Sequence, residues 1–395
     1  MSFQVYHQLG YRYNWNISSI IEDNAGQGII IGPRYIEKRK VEQLEDELKV
    51  KAIFDPQFFI PGTAKGFLTS YDFFPQIVSD GYDTDSFGDE SASKCAEECI
   101  NFQIRNNFKF VVIPTRRTDG MPTDFIEKQN IQFVEAFAKA LFDSKCYKPV
   151  LLQLILNNNM INDDEYIRDI LNWLTGMSFI DGIYLITETS FTSKQIKDND
   201  YLYNLLSIIN ILKSNDLDVV LGYLNTEAVL LSISSPDIMT IGGYENLRRF
   251  SKMAFEQSDD ERRAGPKPRL YFTKLLQWVD HGYLNAMRRR LSDFDDLIDR
   301  NKYQAEMFKA EFNWHFTKPQ IYKHYFLEFN KQLEYISSKV DKERYLLVNN
   351  MLDSAIGWFD RINSAGIVLS PDDDGSHLFR WQTALNEFSA DMGWK

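Results

Sequence analysis

Pro149-Val-Leu-Leu-Gln-Leu-Ile-Leu156 and Asp181-Gly-Ile-Tyr-Leu-Ile-Thr-Glu188 are two apolar runs of strand length, and residues 163–177 between them carry a helical pattern. A strand buried on both faces reads as a near-continuous apolar run, so this strand–helix–strand stretch is a parallel βαβ unit. The same kind of run recurs on either side. Upstream are Gly28-Ile-Ile-Ile-Gly-Pro-Arg34, Lys51-Ala-Ile-Phe-Asp-Pro-Gln57 and Lys109-Phe-Val-Val-Ile-Pro-Thr-Arg116; downstream are Asp218-Val-Val-Leu-Gly-Tyr-Leu-Asn225, Asp237-Ile-Met-Thr-Ile-Gly-Gly-Tyr-Glu245 and Arg269-Leu-Tyr-Phe-Thr-Lys-Leu-Leu276. Helical stretches are expected at about 37–50, 91–107, 123–146, 163–177, 194–214, 226–233 and 245–256. Eight such runs are the count that closes an α/β (β/α)8 TIM barrel.

The barrel is therefore expected over 28–282. Residues 1–27, rich in aromatic and polar side chains, form an N-terminal extension that covers one end or adds a strand. A barrel takes about 250 residues, and the 395 of this chain leave enough for a C-terminal helical subdomain over 283–395. There Trp314, Tyr322, Tyr325, Phe326 and Phe329 recur at helical spacing as an apolar stripe, which normally packs into a core. The long 58–90 segment follows the second run. A loop of that length is usually functional, and this one is expected to be a lid or a partner contact.

Composition narrows the function classes. A net charge of −12 disfavours nucleic-acid binding by the whole surface. Met1-Ser-Phe-Gln-Val-Tyr-His-Gln8 does not read as a secretory leader, and no apolar stretch reaches the ~18 residues of a membrane span. Three cysteines do not make a disulfide framework. A cytoplasmic protein is expected. Cys95 and Cys99 share a helix face, but zinc would need two more ligands, and the five histidines make no paired ligand motif. No Walker loop, Gly-x-Gly-x-x-Gly or Gly-x-Ser-x-Gly occurs. No metal and no cofactor is expected. Ser370-Pro-Asp-Asp-Asp-Gly375 lacks the ligand spacing of a calcium loop and reads as a turn.

In a barrel the strand C-terminal ends carry the chemistry. Reading those ends in order gives Arg34, Asp55, Gln57, Arg116, Gln153, Asn157, Glu188, Asn225, Glu245 and Lys274. Asp55 lies among apolar neighbours in Phe-Asp-Pro-Gln-Phe-Phe, so it either works on a ligand or is held by backbone amides or by Arg34. Glu188 is either its partner in a carboxylate pair, as glycosidic hydrolysis or transfer requires, or a solvent-facing loop carboxylate. Barrel glycosidases often place Glu at the ends of strands four and seven; here strand four ends in Asn157-Asn-Asn159. Gly242 and Gly243, followed by a helix from Glu245 with Arg248 and Arg249 in its first turn, would offer backbone amides and cations to a phosphate, with Lys274 opposite. The alternative is a tight turn with Glu245 favouring the helix dipole.

Tyr6-His-Gln-Leu-Gly10, the Gly-Pro-Arg34 and Asp-Pro-Gln57 strand ends and Tyr71-Asp-Phe-Phe-Pro75 resemble bacterial (β/α)8-barrel proteins of uncharacterised function. That resemblance implies the barrel and assigns no residue a role. A more distant likeness, to tRNA-guanine transglycosylase-like barrels, rests on the architecture and a candidate Asp; the zinc-binding cysteines of that family are absent. The expected function is an enzyme acting on a polar, phosphorylated or glycosidic small ligand at the barrel mouth. Asp55 and Glu188 would be its acid and base. Arg34, Arg116 and Lys274 would neutralise charge, and Gln57, Gln153 and Asn225 would orient the substrate. The alternative is a non-catalytic binding or scaffold subunit that meets a protein partner through the 58–90 loop or the C-terminal helices.

Overall fold

Eight strands make one parallel sheet: β1 (Gln4–Gln8), β2 (Gly28–Ile31), β3 (Ala52–Phe54), β4 (Val111–Ile113), β5 (Val150–Asn157), β6 (Gly182–Glu188), β7 (Asp218–Gly222) and β8 (Ile238–Gly242). Their order, β3-β2-β1-β8-β7-β6-β5-β4, is that of a (β/α)8 barrel opened between β3 and β4. Backbone bonds span that seam, from Lys109 N to Ala52 O at 2.9 Å and, past the strand ends, from Arg117 N to Phe59 O at 3.1 Å, so the barrel is nearly closed. The computed structural model describes residues 2–60, 66–74, 89–189, 193–256 and 265–395, with 89–91 as backbone alone. Most of the expected 58–90 loop lies outside these residues.

One of the eight expected strands leaves the barrel, and a strand outside that set takes its place. The N-terminal extension supplies a barrel strand: Gln4–Gln8 sits between β2 and β8, with Tyr6 opposite Gly28 and Thr240. Arg269–Phe272 does not enter the barrel. It forms β9 of an antiparallel hairpin with β10 (Gln277–Asp280). The barrel strands thus run from 4 to 242, not from 28 to 282.

Side chains alternate along each strand as the pleat requires. On β5, Val150, Leu152, Leu154 and Leu156 face the outer helices, while Leu151 and Ile155 join the lumen cluster with Tyr6, Ile30, Ile53, Val112, Tyr184 and Val220. Local caps start the helices: Asn157 accepts from the Asn159 and Met160 amides, Asp163 from Tyr166 N and Asp198 from Tyr201 N. After β8 the expected 245–256 helix is absent. Glu245–Leu247 and Lys252–Ala254 are single 3-10 turns, and this segment crosses the mouth of the barrel.

The place of an eighth barrel helix is taken by the C-terminal helices Pro319–Ser337, Asp341–Ser364 and His377–Asp391. Their apolar faces belong to the same core as the outer faces of the strands. Ser337 Oγ binds both the amide and the carbonyl of Phe3 at 3.1 Å beside β1. Arg344, fully buried, donates to Ser232 O and Ser235 Oγ at 2.9 Å. On the Pro319–Ser337 helix the aromatic stripe packs inward, with Tyr325, Phe326 and Phe329 fully buried and Tyr322 nearly so, while Trp314 lies before that helix and is half-buried. Cys95 and Cys99 pack inside, Cys95 against Phe73 O and Cys99 against the Gln103 amide. The 370–375 turn fastens the hairpin, because Asp373 accepts from Arg269 at 2.6 Å and from Asp280 N at 3.0 Å.

Candidate functional site

The pleat settles which strand-end residues face the lumen. Ile53 points in, so Asp55 two residues on points in as well, at the level of Gln153 on β5 and Tyr184 on β6. Asp55 is fully buried. Its Oδ1 accepts from Gln153 Nε2 at 2.7 Å and from Gln57 N at 3.0 Å, and its Oδ2 from the Tyr184 hydroxyl at 3.3 Å. Tyr184 also reaches Gln8 Oε1 at 3.5 Å. Gln57 bridges outward, its Nε2 donating to the Tyr223 hydroxyl at 3.3 Å and its Oε1 accepting from Arg34 N at 2.8 Å. Burial pushes the Asp55 carboxyl up to about 7, against the pull of its three hydrogen bonds.

The backbone is shaped to hold this network. Gln57 and Tyr223 both take left-handed conformations, at φ 59° and 56°, a region non-glycine residues seldom enter and that gathers at functional sites. A Cβ on Gly32 would stand 2.2 Å from the Gln57 amide, and one on Gly222 2.7 Å from the Tyr184 ring. Glycine at these two positions makes the room the network fills.

A plug closes the network from above. Phe59 meets Phe250 and Phe255 edge to face, with ring centres 5.0 and 4.8 Å away, while Phe250 and Phe255 stack on each other at 5.5 Å; Tyr223 lies 5.5 Å from Phe250. All three phenylalanines are at least 98% buried. Arg34 lies over the Tyr35 and Phe255 rings, 5.1 and 5.7 Å from their centres, and makes no bond to Asp55.

Glu188 belongs to a different group. Its Oε2 accepts from Arg117 Nε at 2.5 Å and its Oε1 from Lys252 N at 3.1 Å. Its side chain is 15% exposed, so it is neither a free loop carboxylate nor a partner of Asp55, with which it shares no hydrogen-bonding group. Arg117 also holds Asp119 at 2.6 Å. Beside these residues the mouth has a recess of about 270 Å³, bordered by Arg116, Arg117, Lys128 and Lys252, with Asp119 as its one carboxylate among the described residues. Arg116 is 5% exposed, with its guanidinium 5.7 Å from the centre of the Phe133 ring.

The remaining candidates are scattered. Asn225 donates to Lys194 O at 3.3 Å, and its amide donates to Glu227 Oε1 at 2.9 Å. Glu227 is a second buried carboxyl that burial pushes up to about 7. The void these two border holds about 20 Å³, room for one water. Glu245 is bound by Lys194 through both oxygens, at 2.9 and 2.7 Å. No helix begins at Gly242 and Gly243, so the expected helix-dipole phosphate site is not formed there. Lys274 lies on the turn after β9, outside the barrel, and donates to Asp296 O. Sequence reasoning missed Gln8, Tyr184, Tyr223, Glu227 and the phenylalanine plug. A tyrosine in an apolar strand reads as core, and only the shared inward parity of Asp55, Gln153 and Tyr184 could have linked them.

No family model matches the chain, and no curated protein matches it in sequence. Solved structures similar to it include dihydrodipicolinate synthase from Oceanobacillus iheyensis, at 10% identity and TM-score 0.34, over 97% of this chain and 96% of that one. Another is alanine racemase from Clostridium difficile 630 in complex with cycloserine, at 8% and 0.33, over 65% of this chain and 58% of that one. A third is dihydrodipicolinate synthase DapA-2 from Bacillus anthracis, at 9% and 0.32, over 98% of each chain. None of the three is a tRNA-guanine transglycosylase. At these scores they add nothing to the barrel topology, and no residue role is taken from them. Among the described residues no helix is long and apolar enough to cross a membrane.

Proposed function

We propose that this barrel takes a small ligand bearing negative charge, of the phosphorylated-metabolite class, at its C-terminal mouth. The observation that carries this reading is the recess of about 270 Å³ that, among the described residues, four cationic side chains and one carboxylate border. That size is near the lower end of small-molecule sites, which start at about 300 Å³. Charge neutralisation is the chemistry such a recess offers. Arg117, fixed from two sides by Glu188 and Asp119, supplies a preorganised guanidinium. Lys128 and Lys252 supply further charges, paired among the described residues with exposed or half-exposed carboxylates.

The test is a thermal-shift series with sugar phosphates and nucleotides, each beside its unphosphorylated parent. A phosphorylated compound at 100 times its Kd is expected to stabilise the protein by about 2.7 kcal/mol. The doubly substituted Lys128→Ala/Lys252→Ala protein is expected to lose that gain and keep its fold, since both lysines lie toward solvent. A gain of equal size in the double variant, or none with any phosphorylated compound, overturns the reading.

A second reading has one observation in its favour. Asp55 has the near-neutral pKa of a general acid or base and sits at a barrel strand end. Hydrolysis or glycosyl transfer through Asp55 would require the Phe59–Phe250–Phe255 plug to part, and Glu188 would have to leave Arg117. Loss of turnover in both Asp55→Asn and Glu188→Gln favours it; turnover retained in either excludes the pair.

A further inference from the structure

A cavity of about 420 Å³ lies on the flank of the molecule, between the end of β8, the β9–β10 hairpin, the Pro319–Ser337 helix and the 370–375 turn. It shares no bordering residue with the mouth recess. Its charges are mostly settled in pairs: Lys194 with Glu245 at 2.7 Å, Lys267 with Asp280 at 3.3 Å, and Arg269 with Asp373 at 2.6 Å.

Two charges are left over. Arg248 is 92% buried, and its guanidinium is stacked 4.1 Å from the centre of the Trp278 ring. Its Nη1 donates to Gly243 O at 3.0 Å; its Nε is buried without a partner, and no carboxylate lies within ion-pair distance among the described residues. Glu245 and Glu227 act on it only from beyond that distance; a buried cation with no carboxylate at ion-pair distance is costly, and one that borders a cavity can receive an anionic group. Asp372, half-buried on the opposite turn, gives its carbonyl to Arg269, and its carboxylate is uncommitted among the described residues. Tyr244, Trp278 and Tyr322 supply an aromatic wall, with Tyr244 and Tyr322 ring centres 5.0 Å apart.

One unmatched cation, one unmatched carboxylate and an aromatic wall specify a ligand that is zwitterionic and partly apolar. We propose that this cavity binds an α-amino acid with an apolar or aromatic side chain. Arg248 would take its carboxylate, Asp372 its ammonium group, and Tyr244, Trp278 and Tyr322 its side chain. The volume falls in the range of small-molecule sites, about 300–1,000 Å³.

Isothermal titration of the full chain with each of the twenty proteinogenic L-amino acids tests this. At least one with an apolar or aromatic side chain is expected to bind saturably. Asp372→Asn and Arg248→Gln are each expected to weaken it about tenfold or more, as loss of a charge-assisted bond does. The deaminated acid and the decarboxylated amine of that amino acid are expected to be weakened alike. Asp372 is half-exposed, so its variant keeps the test decisive if Arg248→Gln fails to fold. The proposal is overturned if no amino acid binds, if Asp372→Asn binds unchanged, or if the deaminated acid binds as well as the parent. Lys128→Ala/Lys252→Ala is expected to leave this binding intact, which separates the cavity from the mouth recess.

Discussion

Asp55→Asn is expected to make the protein more stable, and by clearly more at pH 8 than at pH 5. Burial pushes the folded Asp55 carboxyl up to about 7 from its ordinary 3.8. Between those values the unfolded chain has released the proton and the folded chain still holds it, so stability falls as pH rises. Above about 7 the folded protein carries an ionised carboxylate in the lumen, and the penalty is complete. At about 1.4 kcal/mol per pH unit it comes to ~4 kcal/mol. The amide removes the charge and keeps the bonds. Its oxygen can accept from Gln57 N and Gln153 Nε2, and its nitrogen, where Oδ2 now sits, can donate to the Tyr184 hydroxyl, which turns to Gln8. Glu227 adds a term of the same sign. The buried imidazoles oppose it: burial lowers His7 to about 4 and His377 to about 3, so their contribution rises with pH up to the unfolded value of 6.5. In the native protein these terms offset one another between about pH 4 and 6.5, and removing Asp55 tilts the profile upward. Urea unfolding at the two pH values measures the tilt. A variant that is less stable than the native protein at pH 8 would mean that an ionised Asp55 is welcome in the lumen.

The strands that were legible in the sequence are those whose inward and outward faces are both apolar, such as Val150–Leu156 and Gly182–Ile186. β1 escaped because its faces carry polar atoms on each side. Gln8 points into the lumen toward Tyr184, while His7 points out, 3.1 Å from Asn16 Nδ2 and against the Phe326 ring. Nothing in Gln4-Val-Tyr-His-Gln8 announces a strand that is buried twice. Arg269-Leu-Tyr-Phe272 failed the other way. It is apolar enough for a barrel, but its turn at Thr273–Leu275 folds it back on Gln277–Asp280 instead of passing it to a helix. Asp55 and Gln153 were readable as candidates because a charge or an amide inside an apolar strand has to be answered by something. What answers them was not readable, since Tyr184 and Tyr223 come from strands far away in sequence. The 245–256 segment was read as a helix from its position after β8, and no local signal told that its phenylalanines would cross the barrel.

Phe250→Ala is expected to cost the most stability of any single change at the mouth, and to cost less at pH 8 than at pH 5. Phe250 is 1% exposed and packs on Phe59, Tyr223 and Phe255. Truncating such a ring typically removes about 3–5 kcal/mol. It also removes part of what keeps water from Asp55. With water nearer, the Asp55 carboxyl moves back toward its ordinary range, so part of the high-pH penalty that burial imposes is relieved. At pH 5 the penalty that burial imposes is far smaller, so less of it can be relieved and the packing loss dominates. The two sites are thus coupled, and the coupling has a sign: Phe250→Ala is expected to be milder at pH 8 when Asp55 is present, and equally severe at both pH values in an Asp55→Asn background. A double-mutant cycle by urea unfolding at pH 5 and pH 8 reads this directly. A loss independent of pH in both backgrounds would show that the lumen itself, and not the phenylalanine plug, desolvates Asp55. Parting the plug would then not change the proton affinity of that carboxyl, and the case for acid–base work by Asp55 would lose its physical basis.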